Sequence, residues 1–249
     1  MRSEQPVSTA LLLAAGAGTR LNAGAEALPK CLADVGGQSI LQRLLGNLRA
    51  NGIRRLVIVT GYRGERIRDA ADQIAGDIQV DYVDNPDYAT TNNIYSLWLA
   101  RSQIREPFLL IESDLVCERS LLQGMLTPDK AAVSEILPWM NGTTVRLDDR
   151  LQGVESFDLA GSADAAGSFK TVNIYSLSLD SWDKVVARLE QHILAGRINS
   201  YYEVVFFELV AENSLQFGAV LFPNDRWYEI DTPVEQKAAN QLLASWPVD

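Results

Sequence analysis

Ala10-Leu11-Leu12-Leu13-Ala14-Ala15-Gly16-Ala17-Gly18-Thr19-Arg20 decides how the rest of the chain is read. Residues 10–14 form an unbroken apolar run, short for a helix and suited to a strand covered on both faces. Small residues follow at once. They let successive backbone N–H groups approach an anion and cradle it. Working outward, residues 56–60, 78–83 and 108–111 repeat the buried-strand pattern. Helical stretches lie between them. Ser39 and Gln42 have the spacing of a capping box, Leu41, Leu44, Leu45 and Leu48 form one apolar stripe, and Asn51-Gly52 stops it. Residues 63–75 and 93–104 read as two more helices. The order βαβαβαβ predicts an α/β fold, with a mostly parallel central sheet and helices on both faces. Such sheets bind ligands at the carboxyl ends of their strands.

Beyond residue 130 the pattern is less regular. Residues 131–136, 143–147 and 170–179 predict strands, and 181–194 and 201–211 predict helices. Residues 217–222 and 227–230 predict strands, 233–245 a closing helix, and the small residues of 159–168 a loop. No boundary is sharp, so residues 1–249 are expected to form a single domain.

The chain carries 22 Lys plus Arg against 32 Asp plus Glu, a formal charge of −10, and one His. That balance argues against sequence-independent binding to nucleic acid or to an anionic membrane. A single His excludes a His-pair zinc site. No segment offers about 18 uninterrupted apolar residues, so no membrane span is expected. Cys31 and Cys117 lie in apolar contexts and read as buried thiols of a reducing compartment, which predicts a cytoplasmic protein.

The residues just after each strand are the informative ones. Arg20 closes the small-residue turn and Lys30 follows ten residues later. Both can add positive charge beside a triphosphate. A tight turn is also what any strand-to-helix junction requires. Other templates fail: Leu21 stands where a dinucleotide fingerprint wants a third Gly, and no Gly-Lys pair exists for a Walker loop. Asp114 follows the fourth strand, where it can hold Mg²⁺ on a phosphate or cap a helix beginning at Val116. Asp231 also ends a strand, and Pro233 just beyond it fits an N-cap reading.

Leu13-Ala14-Ala15-Gly16-x-Gly18-Thr19-Arg20 followed by Pro29-Lys30-Cys31-Leu32 resembles the signature of the sugar-phosphate nucleotidylyltransferases, the GT-A-like pyrophosphorylase superfamily. The resemblance implies a Rossmann-like nucleotidyltransferase domain. Roughly residues 8–130 would bind nucleotide, and residues 131–249 would form a small α+β acceptor part carrying a second metal ligand. It implies nucleotide-binding roles for Leu13, Ala15, Gly16, Gly18, Thr19, Arg20, Lys30 and Gly61. Arg20 and Lys30 are also implied as catalytic, holding the triphosphate and its developing charge. Asp114 and Asp231 are implied as ligands of a Mg²⁺ cofactor.

Asn92-Asn93-Ile94-Tyr95-Ser96-Leu97, Lys170-Thr171-Val172-Asn173-Ile174-Tyr175, Tyr201-Tyr202-Glu203 and Trp227-Tyr228-Glu229-Ile230-Asp231 resemble the small cytidylyltransferase branch, which acts on phosphocholine or on phosphonates. The nearest likeness is to the 2-aminoethylphosphonate type. The implied reaction moves CMP from CTP to a phosphonate, such as an aminoethyl, hydroxyalkyl or carboxyl phosphonate, and releases pyrophosphate. Phosphocholine or a sugar 1-phosphate is the alternative acceptor. A GT-A glycosyltransferase is the alternative of another class, and a nucleotide-sensing module a third. The implied acceptor residues are Asn92, Asn93, Lys170, Tyr202 and Glu203, with Lys170 catalytic. By residue type alone, Lys170 also reads as an edge lysine, Asn92 and Asn93 as turn or cap residues, Tyr201 and Tyr202 as core aromatics, and Glu203 as an exposed helix carboxylate. A quaternary ammonium calls for an aromatic cage, for which Trp139, Tyr201, Tyr202 and Trp227 are available. A primary ammonium calls for a carboxylate such as Glu203 or Asp158. The expected partners are CTP and a small phosphonate or phosphate monoester, with a homodimer left open.

Overall fold

The computed structural model describes residues 6–21, 27–138, 140–160 and 167–246. Strand β1 (Thr9–Ala14) comes first. A hairpin of β2 (Asp34–Val35) and β3 (Gln38–Ser39) leads into helix α1 (Ile40–Ala50). The Ser39 hydroxyl caps α1 by accepting from the Gln42 amide at 3.1 Å, as the capping-box spacing predicts. Next come β4 (Arg55–Thr60), α2 (Gly64–Ile74), β5 (Gln79–Asp84), α3 (Asn93–Leu99) and β6 (Phe108–Glu112). β7 (Leu115–Cys117), β8 (Lys130–Glu135), β9 (Thr144–Leu147), β10 (Val154–Asp158) and β11 (Ser168–Leu177) follow. The chain then forms α4 (Leu179–Leu194), α5 (Glu203–Ala211), β12 (Gly218–Leu221), β13 (Trp227–Glu229) and α6 (Pro233–Leu243).

The apolar run of β1 is continuous because both of its faces are covered. Leu11 and Leu13 pack into a core with α3, α4 and α5, while Ala10, Leu12 and Ala14 pack into another with α1 and α2. The sheet runs β10-β9-β11-β6-β1-β4-β5, with β8 paired to β11 and β12 to β8. β6, β1, β4 and β5 are parallel, as the alternating pattern predicts. β11 runs antiparallel to β6, and β8, β9 and β10 extend that antiparallel part. Its strands are joined without crossover helices, which is what antiparallel pairing allows.

Some boundaries differ from the sequence-based expectation. The helix expected over 93–104 ends at Leu99 and tightens into a 3-10 turn over Ala100–Ser102. β7, β10 and the β2–β3 hairpin are additions. Within the expected 159–168 loop, residues 161–166 lie outside the described residues. Cys31 and Cys117 are buried free thiols. No helix among the described residues is long and apolar enough to cross a membrane.

β11 changes neighbours halfway along. Residues 168–170 pair with β9 and residues 174–177 with β6, while β8 lies along the other edge. Its register against β8 shifts between Thr171 and Tyr175. Asn173 sits in that shift with a φ of 58°. Asn tolerates this left-handed conformation better than most residues, and its Oδ1 accepts from the Thr171 hydroxyl at 3.0 Å. Asn173→Gly is expected to stay within about 1 kcal/mol of the wild type in urea unfolding. Asn173→Val is expected to lose about 1–2 kcal/mol or more, because a β-branched side chain resists positive φ.

Candidate active site

β1 ends at Ala14, and the backbone then turns back on itself. Gly18 has a φ of 57°, and a Cβ there would stand 3.0 Å from the Cβ of Lys30. Only glycine meets both demands without strain. Gly61 follows β4, where a Cβ would come within 2.7 Å of the Ala15 carbonyl oxygen. The Tyr62 amide donates to that same carbonyl at 3.0 Å. Gly61 therefore backs the turn rather than facing the cleft.

A cleft of about 460 Å³ opens over the turn. Leu13, Ala15, Gly16, Gly18, Thr19, Arg20, Lys30, Asn92, Asn93, Asp114 and Asp231 all line it. Asn85, Tyr88, Thr91, Ser96 and Glu112 line it as well, beyond the sequence-based expectation. Position was the usable signal for two of these: Asn85 follows β5 and Glu112 ends β6, both at strand carboxyl ends. Asn85 is buried, and its amide donates to the Thr91 and Ser96 hydroxyls at 3.1 Å each. That holds the segment after β5 against α3.

Asp114 and Asp231 are brought together by a two-stranded ribbon. β7 pairs antiparallel with β13, setting Leu115 opposite Glu229, and the Ile230 amide donates to the Asp114 carbonyl at 2.9 Å. The helix-cap alternative is excluded for both aspartates. A strand follows Asp114, and Thr232 is the N-cap of α6, its hydroxyl accepting from the Glu235 amide at 3.3 Å. The Glu235 carboxylate accepts in turn from the Asp231 amide at 2.8 Å. The Asp231 carboxylate is left for the cleft.

Lys30 sits between the two acids. Its Nζ donates to Asp114 Oδ2 at 2.6 Å and to Asp231 Oδ1. Burial pulls the ammonium down, but Asp114 and Asp231 outweigh it and hold Lys30 above the ordinary lysine range. Arg20 donates to Asp231 Oδ2 at 2.9 Å from an exposed position, where an ion pair contributes little stability. Asp114 Oδ1 is buried with no hydrogen-bond partner among the described residues. Such an unmet acceptor suits a hard cation. Among the described residues no group of three or more His, Cys, Asp or Glu side chains could hold a metal ion. A divalent ion would therefore share two carboxylates with ligand oxygens, the usual manner of Mg²⁺.

Asn92 and Asn93 act as braces. Asn92 caps α3, its side chain accepting from the Asn93 amide at 2.8 Å. Asn93 Nδ2 donates to Glu112 Oε1 at 3.1 Å, and its Oδ1 accepts from the Tyr202 amide at 2.9 Å. Burial, then Asp114, Glu203 and Glu229, push the Glu112 carboxyl well above the usual range.

Lys170 is not an edge lysine. It is 2% exposed and lies on β11 between β8 and β9. Its Nζ donates to the Thr171 carbonyl at 2.8 Å and stands 3.5 Å from Glu229 Oε2. Glu203 is buried too, rather than an exposed helix carboxylate, and burial pushes it up to about 7. Neither residue lines the main cleft, nor does Tyr202, which packs in the core against Tyr175 and Phe206. Its neighbour Tyr201, 64% exposed, lines the cleft instead. Trp227 and Glu229 line a separate pocket of about 20 Å³. Tyr201, Tyr202 and Trp227 therefore do not form one cage, and Trp139 lies outside the described residues. Asp158 ends β10 and accepts from the Ala160 amide at 2.9 Å.

Residues 10–138 match the MobA-like NTP transferase domain. The chain belongs to this family of nucleotidyltransferases. It is 32% identical over 247 residues to the CMP-5'-(3-aminopropyl)phosphonate synthase of Streptomyces rubellomurinus, covering 93% of this chain and 38% of that protein. It is 30% identical over 118 residues to the choline-phosphate cytidylyltransferase of Streptococcus pneumoniae, covering 47% of this chain and 49% of that protein. The matched stretches thus span less than half the length of these relatives. Among solved structures, the CTP:phosphocholine cytidylyltransferase from Streptococcus pneumoniae shares the fold with a TM-score of 0.80 at 20% identity, over 96% of this chain and 100% of that one. The resemblance carried by the glycine turn and Lys30 holds at the level of family and fold. A glycosyltransferase of similar architecture is not the family matched.

Gly61→Ala tests how rigidly the NTP transferase turn is backed. It is expected to cost about 1–3 kcal/mol in urea unfolding, because the new methyl must push the Ala15 carbonyl aside. An unchanged midpoint would mean that the turn yields freely.

Proposed function

We propose that this chain is a cytidylyltransferase, moving CMP from CTP onto an anionic oxygen of a phosphonate and releasing pyrophosphate. The convergence of the glycine turn, Lys30, Asp114 and Asp231 on one cleft carries this reading. Relatives whose names specify cytidylyl transfer and a CMP-phosphonate product support the base and the acceptor. Residues of roughly 8–130 serve the nucleotide and those of 131–249 the acceptor. Phosphocholine fits less well, because among the described residues Tyr201, Tyr202 and Trp227 do not gather around one point. Two buried thiols suit the reducing cytoplasm.

The reaction needs no protein nucleophile. A phosphonate oxygen is ionised near neutral pH and attacks the α-phosphorus in line. The bond from that phosphorus to the bridging oxygen breaks, and its electron pair leaves with pyrophosphate. The protein supplies position and charge. Backbone N–H groups of the turn face the phosphates, and Arg20 and Lys30 exchange carboxylate partners for phosphate oxygens. Lys170 supplies the cation for the acceptor's phosphonate. Asp114 and Asp231 would hold Mg²⁺, which when bound neutralises charge at the α-phosphate.

Pyrophosphate release with Mg²⁺, each nucleoside triphosphate and a panel of acceptors tests the reading. Release is expected with CTP and phosphonates; release confined to sugar 1-phosphates would reject it. Asp114→Asn is expected to lower kcat by more than about 10²-fold while the fold is kept. Lys170→Met is expected to affect acceptor KM or kcat far more than CTP binding. Lys30→Met removes the cation that stands between Asp114 and Asp231, leaving only the exposed Arg20 on Asp231. Its melting temperature is expected to fall without metal, and Mg²⁺ is expected to raise it more than it raises that of the wild type.

A further inference from the structure

Helix α1 carries a glycine near its middle. Gly46 is half-buried, and no described atom lies within 4 Å of where its Cβ would stand. The packing of α1 therefore does not call for glycine there, although glycine weakens a helix interior relative to alanine. Gly46 lines a groove of about 920 Å³ between α1, the segment after β7 and the end of α6. The groove shares no lining residue with the main cleft. β7 and α6 each begin beside a cleft aspartate and end at the groove, at Cys117 and Leu243.

The charge of the groove opposes that of the chain. Arg43, Arg49 and Arg119 line it, with Glu118 as the one carboxylate among the described lining residues. In a chain of formal charge −10 this is a local reversal of sign. Glu118 is shared with Arg226 at 3.5 Å, and the Asp77 that stands 3.3 Å from Arg49 also pairs with Arg54 at 3.1 Å. Arg43 is fixed by neutral groups: it donates to the Val35 carbonyl at 2.7 Å and to the Gly36 carbonyl at 2.8 Å. Burial pulls Arg43 below the ordinary guanidinium range, and Asp34 offsets this only in part. Arg49 donates to the carbonyls of Ile74 and Ala75 at 2.8 Å each. Carbonyls orient a guanidinium without cancelling its charge, so both cations are already ordered for an anion. Trp246 lines the same groove, its indole N–H anchored to the Asp225 carbonyl at 2.8 Å.

We propose that this groove is a second ligand site, separate from the catalytic cleft, for a nucleotide-sized molecule carrying two or more phosphates, its phosphates on the arginines and its ring against Trp246. Arg43 and Arg49 stand about 9 Å apart along the axis of α1 and are anchored to opposite neighbours, the β2–β3 hairpin and the end of α2. One phosphate does not meet both; a ligand with at least two does. A glycine between them lets phosphate oxygens come close to the helix. The volume is that of a small-molecule site, and a fixed indole offers a flat face for a base. The site does not depend on the transfer reading.

The test is calorimetric titration of the full chain with ADP, UDP, inorganic pyrophosphate, inorganic phosphate and a heptaglutamate peptide. At least one of the two nucleotides is expected to bind with a Kd below about 1 mM, and phosphate at least about 10-fold more weakly. Gly46→Leu, whose side chain stands in the groove, and Arg119→Gln are each expected to weaken that nucleotide by about 10-fold or more. Arg119 is exposed, so its variant keeps the test open should a leucine at position 46 disturb the fold. Equal nucleotide affinity in the wild type and both variants would place the binding elsewhere and reject the groove. Pyrophosphate binding as tightly as the better nucleotide would overturn the ring contact, and preference for heptaglutamate would overturn the ligand class. Gly46→Ala is expected to melt about 2–4 °C above the wild type, because a better helix former meets no clash there. A lower melting temperature would show that the fold itself needs the glycine and would remove its part in the site.

Discussion

Two aspartates aimed at one point of a half-buried cleft repel each other unless a cation stands between them. Lys30 meets that need, bound to both carboxylates. Much of the surrounding structure gives it room or holds its partners. Gly18 has no side chain to collide with Lys30, and the β7–β13 ribbon fixes where the second aspartate emerges. Gly61 keeps the turn pressed against β4. Remove the cation and the same geometry becomes a liability, since like charges at short range in a poorly solvated place are costly.

The parallel half of the sheet was legible because it depends on local signals. Residues 10–14 are apolar throughout, Ser39 offers a cap, and Asn51-Gly52 stops a helix. The glycine turn and Lys30 were legible for the same reason, being close together in the chain. The ribbon was not. Leu115–Cys117 is three residues long, and its partner lies at the far end of the sequence. No local pattern records such a pairing. Gly61 was readable as belonging to the site, but its role as a backing surface depends on a carbonyl from another loop. Tyr201 and Tyr202 are adjacent and chemically alike, and only packing decides that one lines the cleft and the other fills the core.

The places of Lys170 and Glu203 depend on burial in a way composition could not reveal. Lysine is usually found at a surface. Lys170 is instead enclosed because β11 keeps neighbours on both edges, changing partner from β9 to β6 around the left-handed Asn173. Glu203 begins an apolar helix and follows its neighbours inward. Helix α5 is apolar almost all round, which placed it in the core without saying where its one early carboxylate would point.

Thr232 and Glu235 share the capping of α6, which leaves the preceding side chain unneeded by the helix. Helix capping and the carboxylate that faces the cleft are thereby assigned to different positions in a stretch of five residues. Natural variation could change the side chain at position 231 without dissolving the helix behind it, and could retune the helix without touching the cleft. The seam between scaffold and cleft runs through a single peptide bond.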